Sequence, residues 1–313
     1  MTFDQPISFA PHYQSRVWGG RRLETVLGRT LPDETTPFGE SWEVSDRAEA
    51  MSTTEQGVTL HALWQKHRAE VFGSLRNESA SFPLLMKILD ACDDLSIQVH
   101  PPASVAPQLG GDPKTEMWFI AHADPGAKIY AGLKKGVTRA DFEAALQNGT
   151  LAEVVHVLHP QTGDCLFIPS GRIHAIGAGL LIYEIQQNSD TTYRVFDWNR
   201  VGLDGKPRAL HIAESLASID YTDYEPEMQR MAADGTLVNC EHFEVKLASG
   251  QSQIGQQGEN LTLAVTRGQI ELAGKIFRAG DFAILPAGMP DVARAVQNAS
   301  ADAQWLEIRV PSC

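Results

Sequence analysis

Short apolar runs broken by Gly, Pro and Asp dominate this chain. FPLLMKIL, DLSIQVHP, EMWFIAHA, AKIYAGL, GDCLFIPSG and LLIYEIQQ come first, followed by FEVKLA, LTLAVTRGQIEL and DFAILPAG. Runs of this length, rich in β-branched and aromatic residues and bounded by turn formers, predict strands. Many such strands at close spacing predict a sandwich or barrel. Helical periodicity is confined mainly to LHALWQKHRAEVFGS, TRADFEAALQNGTLAEVVHVL and IAESLASI. The helices therefore read as insertions on a β framework, the main one spanning about residues 133–158.

An internal repeat constrains the architecture further. Gly163, Pro169, Gly171 and His174 frame the segment GDCLFIPSGRIH, and Gly280, Pro286, Gly288 and Asp291 frame GDFAILPAGMPD at a constant offset of 117 residues. In each copy a five-residue apolar strand leads into a tight Pro-x-Gly turn that aims the next strand at the interior. The pattern resembles the second motif of the cupin superfamily, whose small barrels hold a metal among interior His and carboxylate side chains. The resemblance implies a mainly β fold of two cupin-like (jelly-roll) barrels with a small helical insertion. The catalytic barrel would span residues 1–225 and a metal-free one residues 226–313, since only the first copy ends in His.

Composition adds exclusions. The 313 residues carry a formal charge of −13, which opposes nucleic acid or an anionic membrane as a partner. A run of about 18 apolar residues is missing and the N-terminal stretch lacks a basic start and an apolar core, so a cytoplasmic protein is expected. Cys92, Cys165, Cys240 and Cys313 lie far apart without a CxxC pair, as reduced thiols would. Nothing in the sequence specifies a subunit partner. An anionic small substrate stays compatible with the acidic whole, given a local basic cluster.

Strand alternation then selects a constellation. In DLSIQVHPP, period two puts Ser96, Gln98 and His100 on one face and Ile97 and Val99 on the other. In KTEMWF, Lys114, Glu116 and Trp118 share a face. A solvent-exposed edge strand would also show a polar face, but the apolar run before Ser96 and the Pro101-Pro102 turn after it predict burial. Gln98, His100, Glu116 and His174 offer two imidazoles, a carboxylate and an amide oxygen, a set suited to zinc or another divalent first-row ion.

Downstream, LLIYEIQQNSDTTYRVFDWNR gathers Glu184, Asn188, Asp190 and Arg194. With VWGG, GESWEVSD, SIQVHP and KTEMWF upstream in this order, the chain resembles the type I phosphomannose isomerase family across roughly residues 12–200, in its compact bacterial form. The resemblance implies one zinc ion on Gln98, His100, Glu116 and His174, Arg194 as a catalytic arginine, and Lys114 and Asp190 as acid/base candidates. It also implies reversible conversion of mannose 6-phosphate, a phosphorylated hexose, to fructose 6-phosphate by proton transfer between carbons 1 and 2. A cation facing Lys114 would ease loss of its proton. Ser96 and Arg172 share strand faces with Gln98 and His174 and are expected to reach the substrate. An iron-dependent dioxygenase and a non-catalytic sugar-binding module are the rival readings, because a fold of this type serves many chemistries. The amide ligand counts against the first; retention of Lys114, Asp190 and Arg194 counts against the second.

Overall fold

The computed structural model describes residues 2–311 except positions 74, 76–78 and 251. The chain is mainly β and its sheets are antiparallel, as the sequence predicts. A six-stranded sheet holds, in spatial order, His12–Gly20, Phe38–Val44, Leu84–Ala91, Leu180–Gln187, Glu116–Ala123 and Cys165–Ile168. Facing it is a five-stranded sheet of Tyr193–Phe196, Ile97–Val99, His174–Ile176, Ile129–Leu133 and Val155–Leu158. The later part of the chain repeats the plan with a five-stranded sheet from Thr236–Asn239 to Gln304–Arg309 and a three-stranded sheet built on Gln269–Leu272.

Alternation along the central strand Leu180–Gln187 explains how the layers stack. Leu181, Tyr183 and Ile185 point to one side, into a core shared with Val245, Phe282, Leu306 and Ile308 of the later sheets. Leu180 and Ile182 point to the other side, against Ile129, Ala131 and Ile176 of the facing sheet. Glu184 and Gln186 continue that second face and are also buried. The six-stranded sheet is thus apolar toward its neighbour and becomes polar at one end of its inner face. Each fully buried large aliphatic here contributes about 1.5–3 kcal/mol, which must outweigh the cost of the buried charges beside it.

Helices cover the outside of the five-stranded sheet. Arg139–Asn148 is started by a capping box between Thr138 and Asp141 and stopped by Gly149 in the left-handed region. Phe142, Leu151, Val155 and Ile219 form one core with Ile97 and Val99, the apolar face of the QVH strand. The insertion is shorter than the expected 133–158. Ile129–Leu133 and Val155–Leu158 are strands that pair with one another, because the β-branched VVHV run lies beyond the Gly149 stop and meets an open sheet edge. Cys92, Cys165 and Cys240 are free thiols; Cys313 lies outside the described residues.

The repeat holds through its strand and then diverges. Gly163 and Gly280 have φ of +97° and +99°, a conformation that favours glycine, and each precedes a strand. Glu116 pairs with Ile168 in the first copy and Leu261 with Leu285 in the second, so a leucine stands where the first copy has a carboxylate. Asp291 is not the counterpart of His174. It opens a 3-10 turn, Asp291–Ala293, and its carboxylate accepts from the Gln257 backbone N–H at 2.6 Å. The strand that occupies the place of His174–Ile176 is Val296–Ala299, and it begins with a buried valine. The N-terminal segment crosses to the later sheets as well, since Ile7 and Ile284 exchange two backbone hydrogen bonds of 2.9 Å.

Candidate metal centre

Two rows of side chains face each other across the first pair of sheets. On the five-stranded sheet Arg194 lies opposite Gln98, and Gln98 opposite His174. On the six-stranded sheet Lys87 lies opposite Glu184, and Glu184 opposite Trp118; one step along, Gln186 lies opposite Glu116. Residues directly opposite one another in an antiparallel pair point to the same face. Strand pairing alone therefore collects the imidazole and amide on one wall and the carboxylates and lysine on the other.

His100, Glu116 and His174 converge, with their potential ligand atoms all within 4.8 Å of one another. All three are fully buried or nearly so. His100 Nδ1 donates to the Thr191 carbonyl at 2.8 Å and His174 Nδ1 to the Arg172 carbonyl at 2.9 Å. Those bonds fix the tautomers and leave both Nε2 lone pairs aimed at Glu116 Oε1, at 3.6 and 3.5 Å. His100 Nε2 and Glu116 Oε1 are buried without a hydrogen-bond partner. Orphaned acceptors of this kind are costly in a dry interior, and a divalent cation would satisfy them together. Burial lowers the pKa of both imidazoles, that of His174 to about 3, so both are neutral and able to ligate near pH 7.

The Gln98 amide lies 3.3 Å from His174 Nε2, and its other end accepts from Ser96 Oγ at 3.3 Å. A half-turn of the amide would present Oε1 to the shared point and let the NH2 donate to Ser96. All four expected ligands are thus in one place, and their chemistry fits a divalent ion held by nitrogen and oxygen.

A cavity of about 390 Å³ opens beside this cluster, and Ser96, Gln98, Lys114, Asp190 and Arg194 line it. Lys114 Nζ is 2.9 Å from Glu116 Oε2 and 3.7 Å from Glu184 Oε1. Burial presses its pKa down, but Glu116 and Glu184 outweigh that and raise it above the ordinary lysine value. Arg172 does not reach the cavity. It precedes the strand His174–Ile176, so alternation does not extend to it, and its guanidinium forks Asp223 with two bonds of 2.7 Å. Replacing Arg172 with Ala should leave the Michaelis constant unchanged and lower the thermal midpoint; a large rise in KM in steady-state assays would return it to the substrate site.

Five charged cavity residues, Arg16, Glu40, Lys87, Glu184 and Arg208, escaped the sequence reading as site residues. Lys87 lies 3.5 Å from Glu40, 3.8 Å from Glu184 and 3.7 Å from Asp190. Glu184 accepts from Trp118 Nε1 at 3.0 Å, and burial together with the charge of Glu116 pushes its pKa up to about 7. Arg16 and Arg208 complete the set with Glu40. The available signal was a charged residue inside an apolar strand, Lys in FPLLMKIL and Glu in LLIYEIQQ.

Comparison with known proteins agrees with this geometry. Residues 7–112 match the catalytic domain of type I phosphomannose isomerase. Mannose-6-phosphate isomerase ManA of Bacillus subtilis is 35% identical over 304 residues, covering 91% of this chain and 94% of the relative. The crystal structure of the Bacillus subtilis mannose 6-phosphate isomerase superposes with a TM-score of 0.84 at 31% identity, covering 98% of this chain and all of that one. A mannose 6-phosphate isomerase crystallised with zinc and yttrium shares the fold, with a TM-score of 0.73, 17% identity and coverage of 98% and 99%. By its alignment with relatives along nearly its whole length, this chain belongs to the type I phosphomannose isomerase family.

Proposed function

We propose that this protein interconverts mannose 6-phosphate and fructose 6-phosphate, and that Gln98, His100, Glu116 and His174 hold one zinc ion. The observation that carries the metal site is the pair of buried imidazole Nε2 atoms converging on an unpartnered carboxylate oxygen, beside a cavity lined with acid/base groups. Family membership supports the substrate pair, and zinc in a relative of the same fold supports the choice of ion. When bound, a zinc ion supplies Lewis-acid polarisation of sugar oxygens without redox change.

The chain's own residues divide the remaining work. Isomerisation requires a proton to leave carbon 2 and return at carbon 1, with proton movement between the two oxygens. Glu184, poised near neutrality, is suited to take and return the carbon-bound proton. The Lys114 ammonium, held charged between Glu116 and Glu184, is suited to donate to a sugar oxygen. Arg194, on the strand neighbouring Gln98, is suited to balance negative charge developing on the enediolate. Asp190 stands at the cavity rim beside Lys87, where it steadies that lysine and can relay protons. Ser96 contributes a hydroxyl toward the substrate.

We further propose that residues 1–225 form the catalytic barrel and 226–313 a metal-free one, with the N-terminal segment bracing the second. A cytoplasmic site of action fits a doubly charged sugar phosphate that does not cross membranes unaided. The test is a coupled assay of fructose 6-phosphate formation from mannose 6-phosphate, with metal analysis, before and after chelation. Turnover should fall at least about a hundredfold on chelation and return with zinc. A metal-loaded protein without that turnover would exclude this activity.

A further inference from the structure

The cavity concentrates positive charge in an acidic protein. Arg16, Lys87, Lys114, Arg194 and Arg208 line it with Glu40, Glu184 and Asp190, while Glu116 and Asp197 pair with Lys114 and Arg208 from just outside the lining and the whole chain carries −13. The two lysines lie deep and are matched by buried carboxylates. The guanidiniums are the part of this charge that remains available.

Arg16 and Arg208 are each aimed by a carboxylate. Arg16 Nε donates to Glu40 Oε1 at 2.8 Å, and Arg208 Nε donates to Asp197 Oδ2 at 2.7 Å with Nη2 on the same carboxylate. Arg194 has no acidic partner among the described residues; its Nη1 donates to the Ala209 carbonyl, and its buried Nε has no acceptor. Among the described residues, Arg16 Nη2, Arg194 Nη2 and Arg208 Nη1 make no hydrogen bond. The positive charges of Arg208 and Arg16 help depress the Arg194 pKa after burial, which places the three within electrostatic reach of one another. Three like-charged, partly desolvated guanidiniums with spare donors repel one another unless an anion joins them.

We propose that Arg16 and Arg208 form the seat for the dianionic phosphate monoester of the hexose, with Arg194 beside it toward the reacting end. This rests on the isomerase reading above and adds two anchoring residues to it. Arg16 comes from the His12–Gly20 edge strand and Arg208 from the loop after Tyr193–Phe196, so the seat joins the outer strand of one sheet to a loop from the other. Glu40 and Asp197 hold the two arginines in place before the phosphate arrives, which reduces the ordering cost of binding. The deep lysines then stay free for the reacting end of the sugar.

The test uses the zinc-loaded full chain with Arg208→Ala, Arg208→Lys and Arg16→Gln variants. KM for mannose 6-phosphate should rise on the order of 10- to 100-fold in Arg208→Ala and Arg16→Gln, with a much smaller fall in kcat. Arg208→Lys should recover part of the loss. Inorganic phosphate should inhibit the wild type competitively and lose potency in step with KM, whereas acetate at equal ionic strength should not compete. Unchanged KM and phosphate inhibition in both folded variants would overturn the seat, as would acetate competing as well as phosphate. If the wild type fails to turn over mannose 6-phosphate, titration with inorganic phosphate alone still decides: weakened phosphate binding in the variants upholds the seat while the isomerase reading falls.

Discussion

Replacing His174 with Gln is expected to strip the protein of bound divalent metal and to lower turnover by on the order of a thousandfold or more, because Lewis-acid stabilisation supplies several kcal/mol. His174 is fully buried between the His100 ring, with centroids 4.8 Å apart, and the Trp118 ring at 5.4 Å. Its Nδ1 is committed to the Arg172 carbonyl, so Nε2 has no role except toward the cluster centre. Gln is close enough in size to keep the packing but cannot reproduce both the carbonyl bond and the lone pair in that place. Metal analysis after desalting and the coupled assay read the two losses. Thermal unfolding adds a control, since a ligand that binds only the native state stabilises it. Chelator should lower the midpoint of the wild type and leave the variant unmoved. A variant that keeps one metal per chain and near-normal turnover would remove His174 from the centre.

Glu184→Gln is expected to reduce kcat by about 10²- to 10⁴-fold while leaving the metal in place. Glu184 is buried, faces Lys87 at 3.8 Å and Lys114 at 3.7 Å, and is held by Trp118 Nε1, a bond that Gln can still accept. Burial and the charge of Glu116 push its pKa up to about 7. A base must be ionised to act, so kcat/KM should fall as pH drops through that value. Because a bound cation offsets Glu116 while burial persists, the inflection should sit at or somewhat below 7. The residual activity of Glu184→Gln should lack this acid limb. Survival of kcat within tenfold would pass the base role to Asp190 or Lys114. A parallel Lys114→Met variant separates those two, because it removes the ammonium without touching either carboxylate.

Most of the β framework and the polar faces that carry Gln98, His100 and Glu116 were legible because they follow from period two, whereas His174 was marked by the Pro-x-Gly repeat. Ser96–His100 and Lys114–Trp118 each present a polar face where burial demands an apolar one, and the contradiction marks the site. What escaped depends on pairing between distant strands. Lys87 and Glu184 are neighbours only because Leu84–Ala91 and Leu180–Gln187 lie side by side, which no local pattern encodes. Arg172 misled because alternation was carried one turn beyond the strand that obeys it. Asp291 misled because a 3-10 turn after Met289 shifts the following strand out of the 117-residue register. VHVL read as helix because a short amphipathic run fits both periods until an open sheet edge decides.

The two backbone bonds between Ile7 and Ile284 join segments far apart along the chain. On the ribosome the earlier segment has no sheet edge to pair with until the strand Phe282–Leu285 has emerged, so its docking comes late. Contacts of such sequence separation slow folding through the entropy of closing a long loop. Until that closure, the apolar surface of Phe3, Ile7 and Phe9, which packs on the shared core in the finished fold, is exposed. The interval between synthesis of the earlier segment and its closure on the later one is then the period in which this protein is most open to self-association and to chaperone binding.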